Sequence, residues 1–345
     1  MIVGAGVAGL ASACALAQAG WTVTPLERRA DLSDEGEGLL LQANGLAALE
    51  HLGALDRVRE RGVEIGKVLV HAGGRLSTTY DFAELGHPQA GAIEIRPQAL
   101  RTVLAERAGE LGVPAPQFGA EVVDLVHDGA AVVGARCADG SEVSGELVVG
   151  TDGRGSRTRG ALGIRCRELG QHGEFVLGTV DARPTTSNAR IYCGDGYGNG
   201  VLPLPDGTYF FDCITEENRE AVDTHDLAGW REIYERRVPV AAEFIDAISD
   251  WSQLSRIGVR PFWAARRVAP GAILVGDAAG SVHPHAGQGA NLALEDAAAL
   301  GGVLAQVPGG ALSPSLRGFA RQRDRKLRRY VLWSLVAAGS LDAPN

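Results

Sequence analysis

What this chain lacks narrows its function first. Its five cysteines (Cys14, Cys137, Cys166, Cys193 and Cys213) are scattered, with no CxxC pair and no Cys/His spacing suited to a metal. No disulfide framework or metal centre is expected, and the thiols read as reduced cysteines of a cytoplasmic protein. Basic residues are outnumbered, 33 to 42, and the net charge of −9 excludes the general attraction that nucleic-acid binders use. The one basic run, Arg317, Arg321, Arg323, Arg325, Lys326, Arg328 and Arg329, lies on helix-forming sequence and reads as a solvated face. Long apolar runs are also missing. Tyr330 to Gly339 is too short to span a bilayer, so no integral membrane association is expected. The apolar N-terminus lacks the basic segment of a signal peptide. No internal repeat or low-complexity linker divides the chain.

What is present is three glycine-rich motifs, each following an apolar strand. The first begins at once: Met1-Ile2-Val3, then Gly4-Ala5-Gly6-Val7-Ala8-Gly9, then a small-residue helix from Leu10 to Ala19 stopped by Gly20. A second strand, Trp21 to Leu26, ends at Glu27. This is a full β-α-β dinucleotide fingerprint. Gly4, Gly6 and Gly9 serve the turn, the pyrophosphate and the helix–strand contact. Glu27 is positioned for the adenosine ribose and, at an exposed ribose, is the more dispensable of the cofactor carboxylates. A carboxylate there repels a 2′-phosphate, which suits FAD or NAD. The first strand is short, so the natural start is expected upstream of Met1.

The second motif, Thr151-Asp152-Gly153-Arg154-Gly155-Ser156-Arg157-Thr158-Arg159, follows Leu147 to Gly150. In the third, the run Ala272 to Val275 delivers Asp277 onto a turn, and a helix opens near Gly287-Gln288-Gly289-Ala290-Asn291. A carboxylate beside a helix N-terminus can accept hydrogen bonds from a polyol while the free N–H groups attract an electron-rich group.

In this order the three motifs resemble those of the single-component flavin monooxygenases, the p-hydroxybenzoate hydroxylase-like family, over most of the chain. The resemblance implies an α/β fold: a Rossmann-like FAD-binding domain with an inserted antiparallel-sheet substrate domain. It implies that Asp277 holds the ribityl chain, that Pro284, Gly287, Gly289, Ala290 and Asn291 lie along the isoalloxazine, and that Asp152 and Gly153 meet FAD and nicotinamide. Arg28, and Gln42 in the Gly36 to Asn44 loop, join this set. Arg96 lies one position from the family's helix-start arginine, where this chain has Pro97, and the family's histidine after GDAA is Gly280. The implied cofactors are FAD and, transiently, NADH or NADPH. The implied reaction is hydroxylation of an aromatic or polyketide-like small molecule by O₂ through a C4a-hydroperoxyflavin, in a monomer or homodimer. Open beside it stand a flavin reductase or dehydrogenase, an epoxidase on a non-aromatic substrate, and a non-catalytic FAD-binding protein. Halogenation is disfavoured, since no Trp-x-Trp pair exists and the only lysines, Lys67 and Lys326, fall outside the motifs.

The chain order predicts FAD-binding sequence over 1–168, with 65–93 lending strands to the substrate domain. The substrate domain follows over 169–263, and FAD-binding sequence returns over 264–345 with a C-terminal helix. Strands are expected at Glu121 to Val126, Ala131 to Cys137 and Glu142 to Val149. Gly194 to Gly200 fits no G-x-G-x-x-G frame and reads as a loop and strand edge. His283 and His285 bracket Pro284 where the resembling chain passes the flavin. They either bind substrate and relay protons, an unperturbed imidazole titrating in the useful range, or are loop histidines bonded to backbone. Tyr192, Tyr197 and Tyr209 either face the substrate or pack the sheet.

Overall fold

A computed structural model describes residues 1–33, 37–182, 187–194, 196–306 and 312–341. Its centre is a six-stranded sheet in the order Val268–Ala269, Ala272–Leu274, Val148–Gly150, Ile2–Val3, Pro25–Glu27 and Gln117–Phe118, parallel except at the first pair. The four inner strands are buried throughout because both faces are covered, as parallel sheets require, whereas the edge strand Gln117–Phe118 is exposed. On one face lie the helices Val7–Gln18, Pro97–Glu110 and Gly289–Leu304. The small side chains of Val7–Gln18 let the helices come close: a Cβ on Gly301 would sit 2.7 Å from the Ala15 carbonyl. On the other face lies an antiparallel sheet of Val122–Asp128, Ala131–Cys137 and Glu142–Ser144.

The expected strand from Glu142 to Val149 is thus two strands in two sheets, parted at Gly145. The strand expected from Trp21 is formed only over Pro25–Glu27. The neighbouring Ile2–Val3 is a strand of two residues, so there is little for a longer strand to pair with.

A seven-stranded sheet forms the second layer, in the order Leu254–Gly258, Glu174–Val180, Gly207–Cys213, Tyr197–Leu204, Ala189–Gly194, Lys67–Ala72 and Arg75–Asp81. Only Lys67–Ala72 against Ala189–Gly194 is parallel. Tyr197 to Gly200, expected as a loop edge, is interior strand; Asp195 lies outside the described residues. One face of this sheet carries the helices Glu216–Asp223 and Leu227–Arg237, which bury Phe210, Trp230, Tyr234 and Phe244. The Glu216–Asp223 helix went unread in the sequence. Its signal was present, Thr215 and Asn218 forming a capping box. A further three-stranded sheet, Leu39–Gln42, Ala92–Ile95 and Val63–Ile65, stands between the two layers.

The Leu312–Leu341 helix packs back onto the nucleotide domain through Leu316, Phe319, Leu327 and Val331. Its basic run is not simply a solvated face. Arg323 is buried and ion-paired with Asp296, and Arg267, 1% exposed, bridges Asp296 (2.8 Å) and Asp324 (2.6 Å). Asp296 thereby joins the third motif's helix to the C-terminal helix. Among the described residues no helix is long and apolar enough to cross a membrane, and no group of three His, Cys, Asp or Glu could hold a metal.

Candidate active site

The first motif is built around close backbone approach. A Cβ on Gly9 would lie 1.8 Å from the Gly4 carbonyl, whereas one on Gly6 would meet nothing within 4 Å. So Gly9 locks the helix onto the turn and Gly6 faces open space, where a pyrophosphate can approach the backbone. Beside it lies a cleft of about 320 Å³ lined in part by Gly4, Gly6, Glu27, Arg28, Asp152 and Gly153. Glu27 is nearly buried and accepts from Ala5 N (2.7 Å) and Arg29 N (3.0 Å). Its carboxylate therefore fixes the glycine turn as well as lining the cleft, and each oxygen keeps a lone pair for a ribose hydroxyl.

The second motif is held by its own side chains. Asp152 accepts from Ser156 Oγ (2.5 Å) and Thr158 N (2.9 Å), capping a short helix. Thr151 Oγ1 contacts the Val3 and Gly4 carbonyls at 2.8 Å each. Arg159 donates to the Ala278 carbonyl (3.0 Å) and stacks over Phe262, tying the second motif to the third.

In the third motif, Gly276–Ala278 is a single 3₁₀ turn at the end of Ala272–Leu274, and a Cβ on Gly276 would be 2.9 Å from the Ala8 Cβ. Asp277 is half-buried, and burial raises its carboxyl above the usual range against the pull of Arg154 and a Ser281 hydrogen bond. The chain then runs through Pro284–Ala286 and a left-handed Gly287 into the Gly289–Leu304 helix, whose first turn contains Ala290 and Asn291.

Two expected cofactor contacts have other partners. Asn291 Oδ1 accepts from Gln42 N (2.9 Å), and its Nδ2 donates to the Leu40 (2.9 Å) and Gly287 (2.7 Å) carbonyls. Gln42 Nε2 reaches the Ala286 (3.1 Å) and Gly287 (3.2 Å) carbonyls. Both side chains brace the 284–289 turn against the Leu39–Gln42 strand, because each neighbouring carbonyl needs a donor. Arg96 is drawn across the layers to Asp206 (2.9 Å) on the substrate sheet. Gly36 lies outside the described residues.

The segment from Asp277 to Gly289 meets an aromatic face at His285. Tyr209, Phe211 and Cys213 alternate onto the side of the Gly207–Cys213 strand opposite the helices. His285 lies 5.8 Å from Phe211 and 4.9 Å from Phe175, ring to ring, and its Nε2 is 3.8 Å from Cys213 Sγ. The two histidines differ. His283 is 1% exposed; its Nδ1 accepts from His285 N (3.3 Å), so the proton sits on Nε2, which donates to the His172 carbonyl (3.1 Å). His285 keeps a buried Nδ1 with no partner. Burial lowers His283 to about 4 and His285 to about 3. Both rings are neutral near pH 7, in place of the unperturbed titration expected. Tyr192 is buried and stacked on His71 (4.8 Å), and Tyr197 lies under Arg237. Tyr197 and Tyr209 both pack against the Phe175 and Cys213 cluster beside His285; Tyr209 shares a strand with Phe211, and burial raises its phenol.

The residues fit a bound FAD. The open Gly6 faces a cleft also lined by the carboxylates of Glu27 and Asp152, and the third motif adds Asp277, a helix N-terminus at Gly289 and, at His285, contact with an aromatic sheet face.

Comparison with known proteins places the chain among flavoproteins. The family model described as FAD binding domain matches residues 1–331. The 6-methylpretetramide 4-monooxygenase of Streptomyces rimosus is 32% identical over 320 residues, covering 88% of this chain and 74% of that protein. The FAD-dependent urate hydroxylase of Mycolicibacterium vanbaalenii is 29% identical over 323 residues, covering 87% and 78%. Among solved structures, Pseudomonas aeruginosa PqsL in complex with 2-aminobenzoylacetate superposes with a TM-score of 0.87 at 25% identity, covering 99% of this chain and 95% of that one. Klebsiella pneumoniae HpxO complexed with FAD and uric acid gives 0.81 at 25% identity, covering 99% and 88%.

Proposed function

The chain belongs to the FAD binding domain family, among FAD-dependent monooxygenases, and on that premise we propose that it hydroxylates a flat aromatic or polyketide-like small molecule at the Tyr209–Phe211–His285 face, with NADH or NADPH as reductant. One observation carries this reading. A single segment, Asp277 to Gly289, leaves the parallel sheet beside the first motif and, at His285, meets that aromatic face.

Bound FAD supplies reductive activation of O₂, which side chains do not. The chain's own residues position and exclude water. Gly6 and the open lone pairs of Glu27 would hold the pyrophosphate and adenosine end, and Asp277 would accept from the ribityl hydroxyls. The free N–H groups at the start of the Gly289–Leu304 helix would favour the electron-rich end of the ring system. Phe175, Phe211 and Tyr209 form a wall for a planar substrate. The free Nδ1 of His285, neutral near pH 7, orients a substrate hydroxyl by accepting its hydrogen bond, while His283 holds the turn that carries it. The proposed cytoplasmic location and monomeric or homodimeric state rest on composition and family alone.

Oxygen uptake with product mass tests the reaction. One added oxygen supports it, a two-hydrogen change replaces it with a dehydrogenase, and no turnover across a phenol and polyketide panel points to an FAD-binding protein without catalysis. Asp277→Ala is expected to weaken FAD by about 1.5–3 kcal/mol, roughly ten- to a hundredfold, with the fold retained. Undiminished affinity in the folded variant would move the ribityl site elsewhere.

A further inference from the structure

At the other end of the same aromatic face lies a carboxyl that nothing in the proposed chemistry uses. Glu94 is on the central strand of the Ala92–Ile95 sheet, between Leu40 and Val63. It is 0% exposed, and neither carboxyl oxygen has a hydrogen-bond partner. Its surroundings are Gly38 and the Tyr209 ring. A Cβ on Gly38 would lie 2.3 Å from Glu94 Oε1 and 2.6 Å from Tyr209 Cδ1. From there the rings continue, Tyr209 to Phe211 at 6.2 Å and Phe211 to His285 at 5.8 Å. So the aromatic wall has a polar group at each end, His285 and Glu94, each with an unpartnered buried atom.

An orphaned buried carboxyl costs stability that an apolar side chain of the same shape would not. Such a group is explained when a ligand completes it. Gly38 and Tyr209, both only half-buried, are the groups in contact with it. A smaller side chain than glycine does not exist, so position 38 leaves the closest approach to the acid that a backbone allows.

We propose that Glu94 anchors the substrate, and that the edge it recognises carries a hydrogen-bond donor and acceptor on neighbouring atoms, as a lactam or an enolised dicarbonyl does. The geometry of a carboxylic acid sets this class, since its hydroxyl donates while its carbonyl accepts, in one plane. Burial with no opposing cation raises the Glu94 carboxyl well above the ordinary range, which keeps it in that neutral form. With the polar edge held at Glu94, the rest of a planar ligand lies along Tyr209 and Phe211 toward His285. This assignment rests on the monooxygenase reading and deepens it.

The test uses FAD-loaded wild type, Glu94→Gln and Glu94→Leu, titrated with 2-quinolone and N-methyl-2-quinolone while the flavin absorbance is followed. The first probe presents N–H beside C=O, and the second has lost the donor. Wild type and Glu94→Gln, whose amide also donates and accepts, are expected to prefer 2-quinolone by about tenfold or more, and Glu94→Leu by less than about twofold. Glu94→Leu is also expected to melt at a higher temperature, having lost the orphan carboxyl. That rise, with discrimination lost, is a pattern a purely structural residue does not give. Should Glu94→Leu fail to retain FAD, Glu94→Met takes its place. Equal discrimination in the apolar variant, or a wild type that binds neither probe or both alike, overturns the assignment. A wild type that binds no FAD counts against the monooxygenase reading and this assignment with it. One that is FAD-loaded and consumes oxygen but does not discriminate overturns this assignment alone.

Discussion

The two sides of the Gly207–Cys213 strand bury polar groups in opposite ways. Toward the helices, Asp212 is 0% exposed and fully engaged, by Asn218 Nδ2 (2.8 Å), Trp230 Nε1 (2.9 Å) and Arg237 Nη1 (3.4 Å). Toward the flavin domain, Glu94 and His285 meet the same strand's Tyr209 and Phe211 with atoms left unpaired. One strand, alternating by residue, thus separates a face that holds the fold from a face that waits for a ligand. The Tyr234 hydroxyl on the helix side also lacks a partner, so the contrast lies in the carboxyls: that of Asp212, matched by donors, specifies structure, and for that of Glu94, left unmatched, the missing partner is chemistry.

The largest break in that comparison should come from Arg237→Met. It strands Asp212 as a buried carboxylate and should cost about 3–5 kcal/mol in urea unfolding. A loss under about 1 kcal/mol would mean that the helix face is no better satisfied than the site face. Next, the two faces should answer pH with opposite signs. His283 titrates near 4 when folded and about 6.5 when unfolded, so the unfolded state binds the extra proton below pH 6.5. Acidification from pH 6.5 to 4 should therefore cost about 3 kcal/mol from this group, and His283→Gln should flatten that limb. Burial raises Asp212 from 3.8 to about 6, so its contribution is full below pH 3.8 and is lost as pH rises through 6. Asp212→Asn should remove that opposing slope. Unfolding free energies measured across pH 4–8 for the three proteins decide it, and a common slope in all three refutes the contrast.

A smaller effect is expected at Gly200, where a Cβ would fall 2.1 Å from Phe211 Cε1. Gly200→Ala should cost about 1–3 kcal/mol by overpacking. It should also weaken substrate binding through the displaced ring, and an unchanged KM would detach Phe211 from the site. Smallest in stability is His285→Phe, within about 1 kcal/mol of wild type, because the ring is kept and an orphan nitrogen removed. Its yield of product per NAD(P)H should nonetheless fall, and unaltered coupling would leave His285 without a role.

The nucleotide half was legible because its signals are local. Strand, glycine turn and helix follow one another within a few residues at Gly4, Asp152 and Asp277, each carrying its own physical reason. What escaped were matters of pairing. No local pattern tells that Glu142–Ser144 and Val148–Gly150 belong to different sheets, or that Asn291 and Gln42 spend their amides on the 284–289 turn. Arg323 looked like one of a solvated series until Asp296 and Glu295 were brought against it. The lowering of the two imidazoles likewise comes from burial under residues distant in sequence, Phe175 and His172 among them. Glu94 carried one usable sign, a lone acid inside the apolar run Ala92 to Ile95, which reads as a buried strand.

The central sheet sets a schedule for the nascent chain. Ile2–Val3 pairs early with Pro25–Glu27, but Ile2 also lies beside Val149, and Val149 beside Ile273, so the Ile2–Val3 strand gains its second neighbour only after the middle of the chain has emerged, and that middle strand gains its own only near the end. Pairings so distant in sequence pay their loop entropy before they gain contacts, which makes folding slow. Until Ala272–Leu274 arrives, the apolar strand Val148–Gly150 stands as an open edge. Synthesis of this protein therefore passes through a long interval in which a chaperone has something to hold, and truncation before the third motif should yield aggregates rather than a smaller flavoprotein.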